Sequence, residues 1–121
     1  MNEIKIFENE QFGKIRTVVS DSGEPMFCLV DVCRVLELAP SKVSQRLDKD
    51  VLSKYHIETV GGMQMANFVN EDGLYDAILG SRKEEARKFR KWVTNEVLPS
   101  IRKNGGYIST SESDTPDVIM E

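Results

Sequence analysis

The chain opens with a period of two. Ile4 and Ile6, then Ile15, Thr17 and Val19, alternate with polar residues on either side of the turn-forming run FENEQFG, which predicts a hairpin. A second turn cluster, Asp21, Ser22, Gly23, Glu24 and Pro25, leads into the apolar run MFCLV at residues 26–30, a third strand. The period then lengthens. Val32, Val35 and Leu36 take helical spacing behind Asp31, whose carboxylate is placed to cap that helix, and Pro40 ends it by disfavouring a helical conformation at Ala39. Ser41 is expected to cap a second helix, SKVSQRLDKD. Two more short runs, residues 55–60 and 63–69, are joined by Gly61 and Gly62, glycines that can take the positive φ of a primed hairpin turn. Asn70 is then expected to cap the helix EDGLYDAIL, with Glu71 and Asp72 near its positive end, Leu74, Ala77 and Ile78 on its inner face and Gly80 at its close.

The longest helical pattern lies at residues 81–107. Ala86, Phe89, Val93, Val97 and Ile101 recur every three or four residues and define a buried stripe, with Trp92 beside it. Ser81, Arg82, Lys83 and Glu84 fit a capping box at its start, and Glu84 and Lys88 stand at i, i+4. Pro99 removes the bond to the Asn95 carbonyl and is expected to kink or shorten the helix, which Gly105 and Gly106 close. After Ile108 the run STSESDTPDVIME holds four acids, no bases and no apolar periodicity. The expected organisation is one folded domain at residues 1–108 and an acidic flexible tail or linker at 109–121.

Charge sharpens this outline. The 121 residues carry 16 basic and 20 acidic side chains, a net of -4. Residues 82–103 hold eight bases against Glu84, Glu85 and Glu96, a local net of +5, which leaves -9 elsewhere. A basic segment on an acidic protein is either a solvated helix face or a phosphate footprint. Lys83, Arg87, Lys88, Arg90 and Lys91 are the candidate phosphate contacts. In the helix after Ser41, Val43 and Leu47 fall on one side and Lys42, Gln45, Arg46 and Lys49 on the other, residue types that suit phosphates and base edges. Helix, three-residue turn, helix is the layout of a helix-turn-helix reader, and the hairpin that follows is placed to act as a wing.

Other chemistry has little to work with. Cys28 and Cys33 are too few for a disulfide framework or a zinc site, and His56 is the single histidine. Both thiols are expected to be buried, and no catalytic residue, metal or cofactor is predicted. The first residues lack an apolar signal core and no apolar run spans a bilayer, so a cytoplasmic protein without a membrane role is expected.

Several strings together carry a family resemblance. LVDVCRVLEL, VNEDGLYDAILGSRKEEARKFRKWV and above all NEVLPSIRKNGGY resemble the N-terminal domain of the BRO family, found in phage and prophage antirepressors and in baculovirus repeated proteins. The most specific part is Phe89, Trp92 and Val93, then Glu96, Val97, Leu98 and Pro99, then Ile101, Arg102, Gly106 and Tyr107. The resemblance implies a DNA-binding α+β domain, often joined to a variable C-terminal domain, in a bacterial or phage-infected cell. The fold expected is a small mixed α+β domain with N-terminal strands, a helix-turn-helix-like pair, a β-hairpin and a long C-terminal helix. The function expected is that of the DNA-binding domain of an antirepressor-like regulator of transcription, with double-stranded DNA as partner. The alternative is an interaction module that binds a phage repressor or another regulator without touching DNA. A homodimer would suit paired half-sites, although no single sequence feature decides it.

Overall fold

A computed structural model of the chain describes residues 3–104. Strands β1 (Lys5–Asn9), β2 (Gly13–Val19) and β3 (Pro25–Cys28) precede helices α1 (Leu29–Leu36) and α2 (Pro40–Arg46). A single 3₁₀ turn, Lys49–Val51, leads to β4 (Leu52–Thr59) and β5 (Gly62–Val69). Helix α3 (Glu71–Leu79) follows, then α4 (Glu85–Trp92), which runs through a π-helical turn, Val93–Val97, into α5 (Leu98–Asn104). The five strands form one antiparallel sheet in the order β1-β2-β3-β5-β4. The expected α+β class is the observed one. The tail at 109–121, the two closing glycines and Tyr107 lie outside the described residues.

Both faces of the sheet are apolar at its centre. All four residues of β3 are buried, so a strand that alternates its side chains must feed two cores. Phe27 joins Ile15 and Val69 under the helices, where Leu29, Val32, Leu36, Leu74, Phe89, Val93, Val97 and Ile101 meet them. Met26 and Cys28 point the other way and form a smaller cluster with Val18, Ile57 and Phe68, edged by Ile4, Tyr55 and Ala66. The predicted stripe of the long helix is all inside, and Trp92 packs beside Phe12 and Phe89, ring centroids 5.7 Å and 6.1 Å away.

Several local expectations change. The third strand stops at Cys28, and Leu29 and Val30 already belong to α1. Asp31 does not cap that helix: it lies inside the first turn, and its carboxylate is taken by β2. Oδ2 accepts the Arg16 backbone N–H at 2.9 Å and Nε at 2.8 Å, and Oδ1 accepts Nη2 at 2.8 Å. Charge-assisted bonds to a guanidinium outweigh the one backbone bond a cap would make. Ser41 is not a cap either. Pro40 takes the first helical position, where its missing N–H costs nothing, and α2 ends at Arg46, which puts Lys49 on the separate 3₁₀ turn.

The second hairpin turns one residue early, at Val60 and Gly61. Gly62, at φ 108°, already pairs with Thr59, whose hydroxyl donates to the Gly62 carbonyl at 2.8 Å. The capping box is not formed, because the Ser81 hydroxyl donates to the Leu36 carbonyl at 3.1 Å, at the end of α1, and accepts from the Lys83 N–H; α4 starts only at Glu85. Pro99 neither shortens nor stops the helix. The turn before it widens to π geometry, with the Leu98 N–H bonded to the Val93 carbonyl, five residues back. A wider turn makes room at the carbonyl a proline ring would otherwise strike.

Arg34, one turn after Asp31, extends the same network. It approaches Asp31 Oδ1 at 3.5 Å and donates through Nη2 to the Phe12 and Lys14 carbonyls at 3.1 Å and 2.9 Å. Asp31 is 3% exposed. Burial alone pushes its carboxyl up, but the hydrogen bonds from the Arg16 side chain and backbone, with both guanidinium charges, hold it below the ordinary 3.8. Burial raises the Cys28 thiol and pushes Cys33 up to about 11.

Two outcomes follow. Asp31→Ala leaves the Arg16 guanidinium and N–H without their acceptor and should cost about 2–3 kcal/mol in urea unfolding. Because the folded pKa of Asp31 is depressed, its contribution is complete above pH 3.8 and is lost as pH falls through the lower folded value, so Asp31→Asn should flatten the acid limb of the stability curve. In the second outcome, neither thiol reacts with a disulfide reagent at pH 8 in the folded protein, and both react once denaturant is added.

Candidate nucleic-acid interface

The charges of the helical layer divide into those that already have partners and those that do not. Arg16 and Arg34 are committed to Asp31, and Arg102 to Glu71 at 3.2 Å. Lys83, one of the predicted contacts, sits before α4 with its ammonium 2.9 Å from Glu37 and 3.6 Å from Glu85. The hydrogen bond to Glu37 is the main reason its pKa is raised. By contrast Lys42, Arg46, Lys49, Arg87, Lys88, Arg90 and Lys91 are exposed and form no ion pair with another described residue.

These free cations fall into two groups. On α2, Lys42, Gln45 and Arg46 face solvent while Val43 is buried. Lys49 is exposed nearby but follows a different turn, so it is not a fourth member of one helical row. On α4, Arg87, Lys88, Arg90 and Lys91 surround the helix opposite Ala86 and Phe89. Arg87, Lys88 and Arg90 line a groove of ≈ 940 Å³ with Tyr75, Ile78 and Leu79 of α3.

The two groups approach the link at residues 79–81 from different elements. A Cβ on Gly80 would come within 2.6 Å of Arg46 Nη2, so the Arg46 guanidinium lies on the end of α3, where a cation meets favourable carbonyl charge. Leu79 and Ser81, on either side of Gly80, line the α4 groove. Asn70 caps α3 as expected, accepting from the Gly73 N–H at 2.9 Å, and so fixes the helix that separates the groups.

The second hairpin flanks α2. Pro40, Ser41 and Ser44 line a cleft of ≈ 460 Å³ with Thr59, Gln64, Met65 and Asn67. Thr59, Gln64 and Asn67 are polar positions that the hairpin pattern did not single out. A periodic pattern marks faces within one element, and this cleft arises between two. Met63, Met65 and Ile6, exposed on the sheet, were also missed, although the apolar residues of β1 and β5 were visible in the sequence.

His56 is exposed on β4. Among the described residues no group of three or more His, Cys, Asp or Glu side chains could hold a metal ion, and no helix is long and apolar enough to cross a membrane.

The sequence profile described as "BRO family, N-terminal domain" matches residues 14–99. The chain is 38% identical over 95 residues to an uncharacterized protein of Haemophilus influenzae, covering 77% of this chain and 47% of that protein. It is 35% identical over 103 residues to protein 289L of Invertebrate iridescent virus 6, described as Bro-N domain-containing, covering 69% of this chain and 25% of that protein. A second protein of that virus so described, 201R, is 29% identical, with 86% of this chain and 29% of the relative covered. The chain thus spans between a quarter and a half of the length of these curated relatives. No solved structure gives a significant match. The matched segment runs from β2 through the π turn to Pro99, and by it the chain belongs to the BRO family, as an example of its N-terminal domain.

Proposed function

We propose that this domain binds double-stranded DNA and serves as the DNA-binding part of a phage- or prophage-type regulator of transcription. The observation that supports this is the set of exposed cations on α2 and α4 that have no carboxylate partner among the described residues, whereas Arg16, Arg34 and Arg102 are paired with Asp31 or Glu71. Helix α2 offers Lys42, Gln45 and Arg46 to a groove, with the β4–β5 hairpin beside it. The α4 cations Arg87, Lys88, Arg90 and Lys91 run along the phosphates. An amide and a guanidinium on one exposed helical face can reach base edges, while a row of lysines and arginines supplies the sequence-independent attraction. In this proposal the domain has no catalytic role: its two thiols are buried, and burial raises the pKa of both.

A second reading, capture of a repressor or other regulator without DNA, draws on the acid excess outside residues 82–103. The two readings separate in one titration. Polarisation of a labelled duplex at low salt should show binding that weakens steeply with salt. Arg46→Glu and Arg87→Glu should each weaken it about tenfold and lower the log-log salt slope by about 0.9 per lost contact, while Lys5→Glu, the same charge change on β1, leaves both unchanged. No binding to random or operator duplex at low salt would sink the DNA reading and leave the protein-partner one.

A further inference from the structure

The edge of the sheet at β4 carries information that DNA binding does not use. Among the described residues strand β4 pairs with β5 alone, so the backbone groups along its other edge face no strand of that set. A groove of ≈ 780 Å³ lies beside β4. Residues 54–58 of β4 line it, together with Met63 and Met65 of β5, Arg16 of β2, and Ile4 and Ile6 at the start of the chain's first strand. A long open edge is ordinarily guarded by charges that repel a second strand. Here the charges have a pattern. Lys54 and Glu58 stand two residues on either side of His56, on the same face of the strand.

We propose that this edge is the interface between two copies of the chain, joined as an antiparallel β4–β4 pair about a twofold axis through His56. In such a pair residue numbers on opposing strands sum to a constant, and a sheet that continues without inverting its faces needs an even sum. The register centred on His56 sets Lys54 opposite Glu58 of the second copy and Glu58 opposite its Lys54. It also sets Tyr55 opposite Ile57 twice and Ser53 opposite Thr59 twice. The charged pairs fall on one face and the apolar pairs on the other, where Tyr55 and Ile57 extend the smaller core of Val18, Met26, Cys28 and Phe68 across the junction. Centring on Tyr55 or Ile57 instead sets Glu58 against Leu52 or Lys54 against Val60, so only the His56 register satisfies both charges. A symmetric interface must be self-complementary, and this strand is.

The test exploits that symmetry. Sedimentation equilibrium of the 121-residue chain, free of DNA, from roughly 10 µM to 1 mM covers the weak association expected of a single-strand interface. Lys54→Glu places two carboxylates opposite two carboxylates, and Glu58→Lys opposes cations in the same way. Each should weaken self-association about tenfold or more. Because the two variants are complementary to one another, mixing them should restore a dimer, and the double variant K54E/E58K should self-associate as the parent does. Lys54 and Glu58 are exposed, and far-ultraviolet circular dichroism checks that the fold is kept. A parent chain that stays monomeric across this range, single variants that dimerise unchanged, or a mixture that fails to associate would each overturn the proposal.

Discussion

The buried Asp31 carboxylate is the point at which the first hairpin is fastened to α1. It is buried at the point where β2 meets the start of α1 and accepts three hydrogen bonds from Arg16 alone, one of them from the backbone. Arg34 shares it and holds two carbonyls at and beside the β1–β2 turn, so the first hairpin and α1 cannot move apart without stranding charge. The other end of α1 is fastened as well. Ser81 closes on the Leu36 carbonyl, and Lys83 reaches Glu37, whose left-handed backbone at φ 56° ends the helix. Helix α1 therefore ties the sheet to the link that precedes α4, and α2 hangs from it by three residues.

What could be read without coordinates was what depends on near neighbours in the chain. The alternation of β2, the Asn70 cap and the stripe from Ala86 to Ile101 each need only a few adjacent residues to express themselves, and each is where the pattern put it; in β1 it is Phe7 opposite Ile15 that turns to the helices, and Ile6 is exposed. The failures share the opposite property. Asp31 and Ser81 are good caps by local rules, but each has a stronger partner far along the sequence: Arg16 is fifteen residues from Asp31 and Leu36 is forty-five from Ser81. Pro99 is a helix breaker by local rules too. Buried Val93, Val97, Leu98 and Ile101 on either side hold the helix together, and the mismatch is absorbed as one wide turn.

The candidate site was legible in the same partial way. Counting charge along residues 81–107 found a basic segment, and helical spacing found the outward face of α2. Neither could sort the cations by whether a carboxylate lies beside them. That sorting removes Lys83 and Arg102 from the free set and leaves Arg87, Lys88, Arg90 and Lys91 on α4, with Arg82 before it and Lys103 near the end of α5. It also separates Lys49 from Lys42, Gln45 and Arg46, since the helix that would have aligned them ends at Arg46.

The geometry of the two proposals is linked by the sheet. Phe27, Ile15 and Val69 define the face that the helices cover, and Met26, Cys28 and Phe68 define the other. A β4–β4 junction that preserves faces has its twofold axis perpendicular to the sheet, so the helical layers of both copies stand on the same side. Two α2 helices and two α4 rows would then address one face of a duplex, as a twofold regulator addresses paired half-sites. A register with an odd sum would put the layers on opposite sides and could not do so. Lys54 and Glu58, which choose the register, would thereby also choose whether the second set of cations can reach the same DNA.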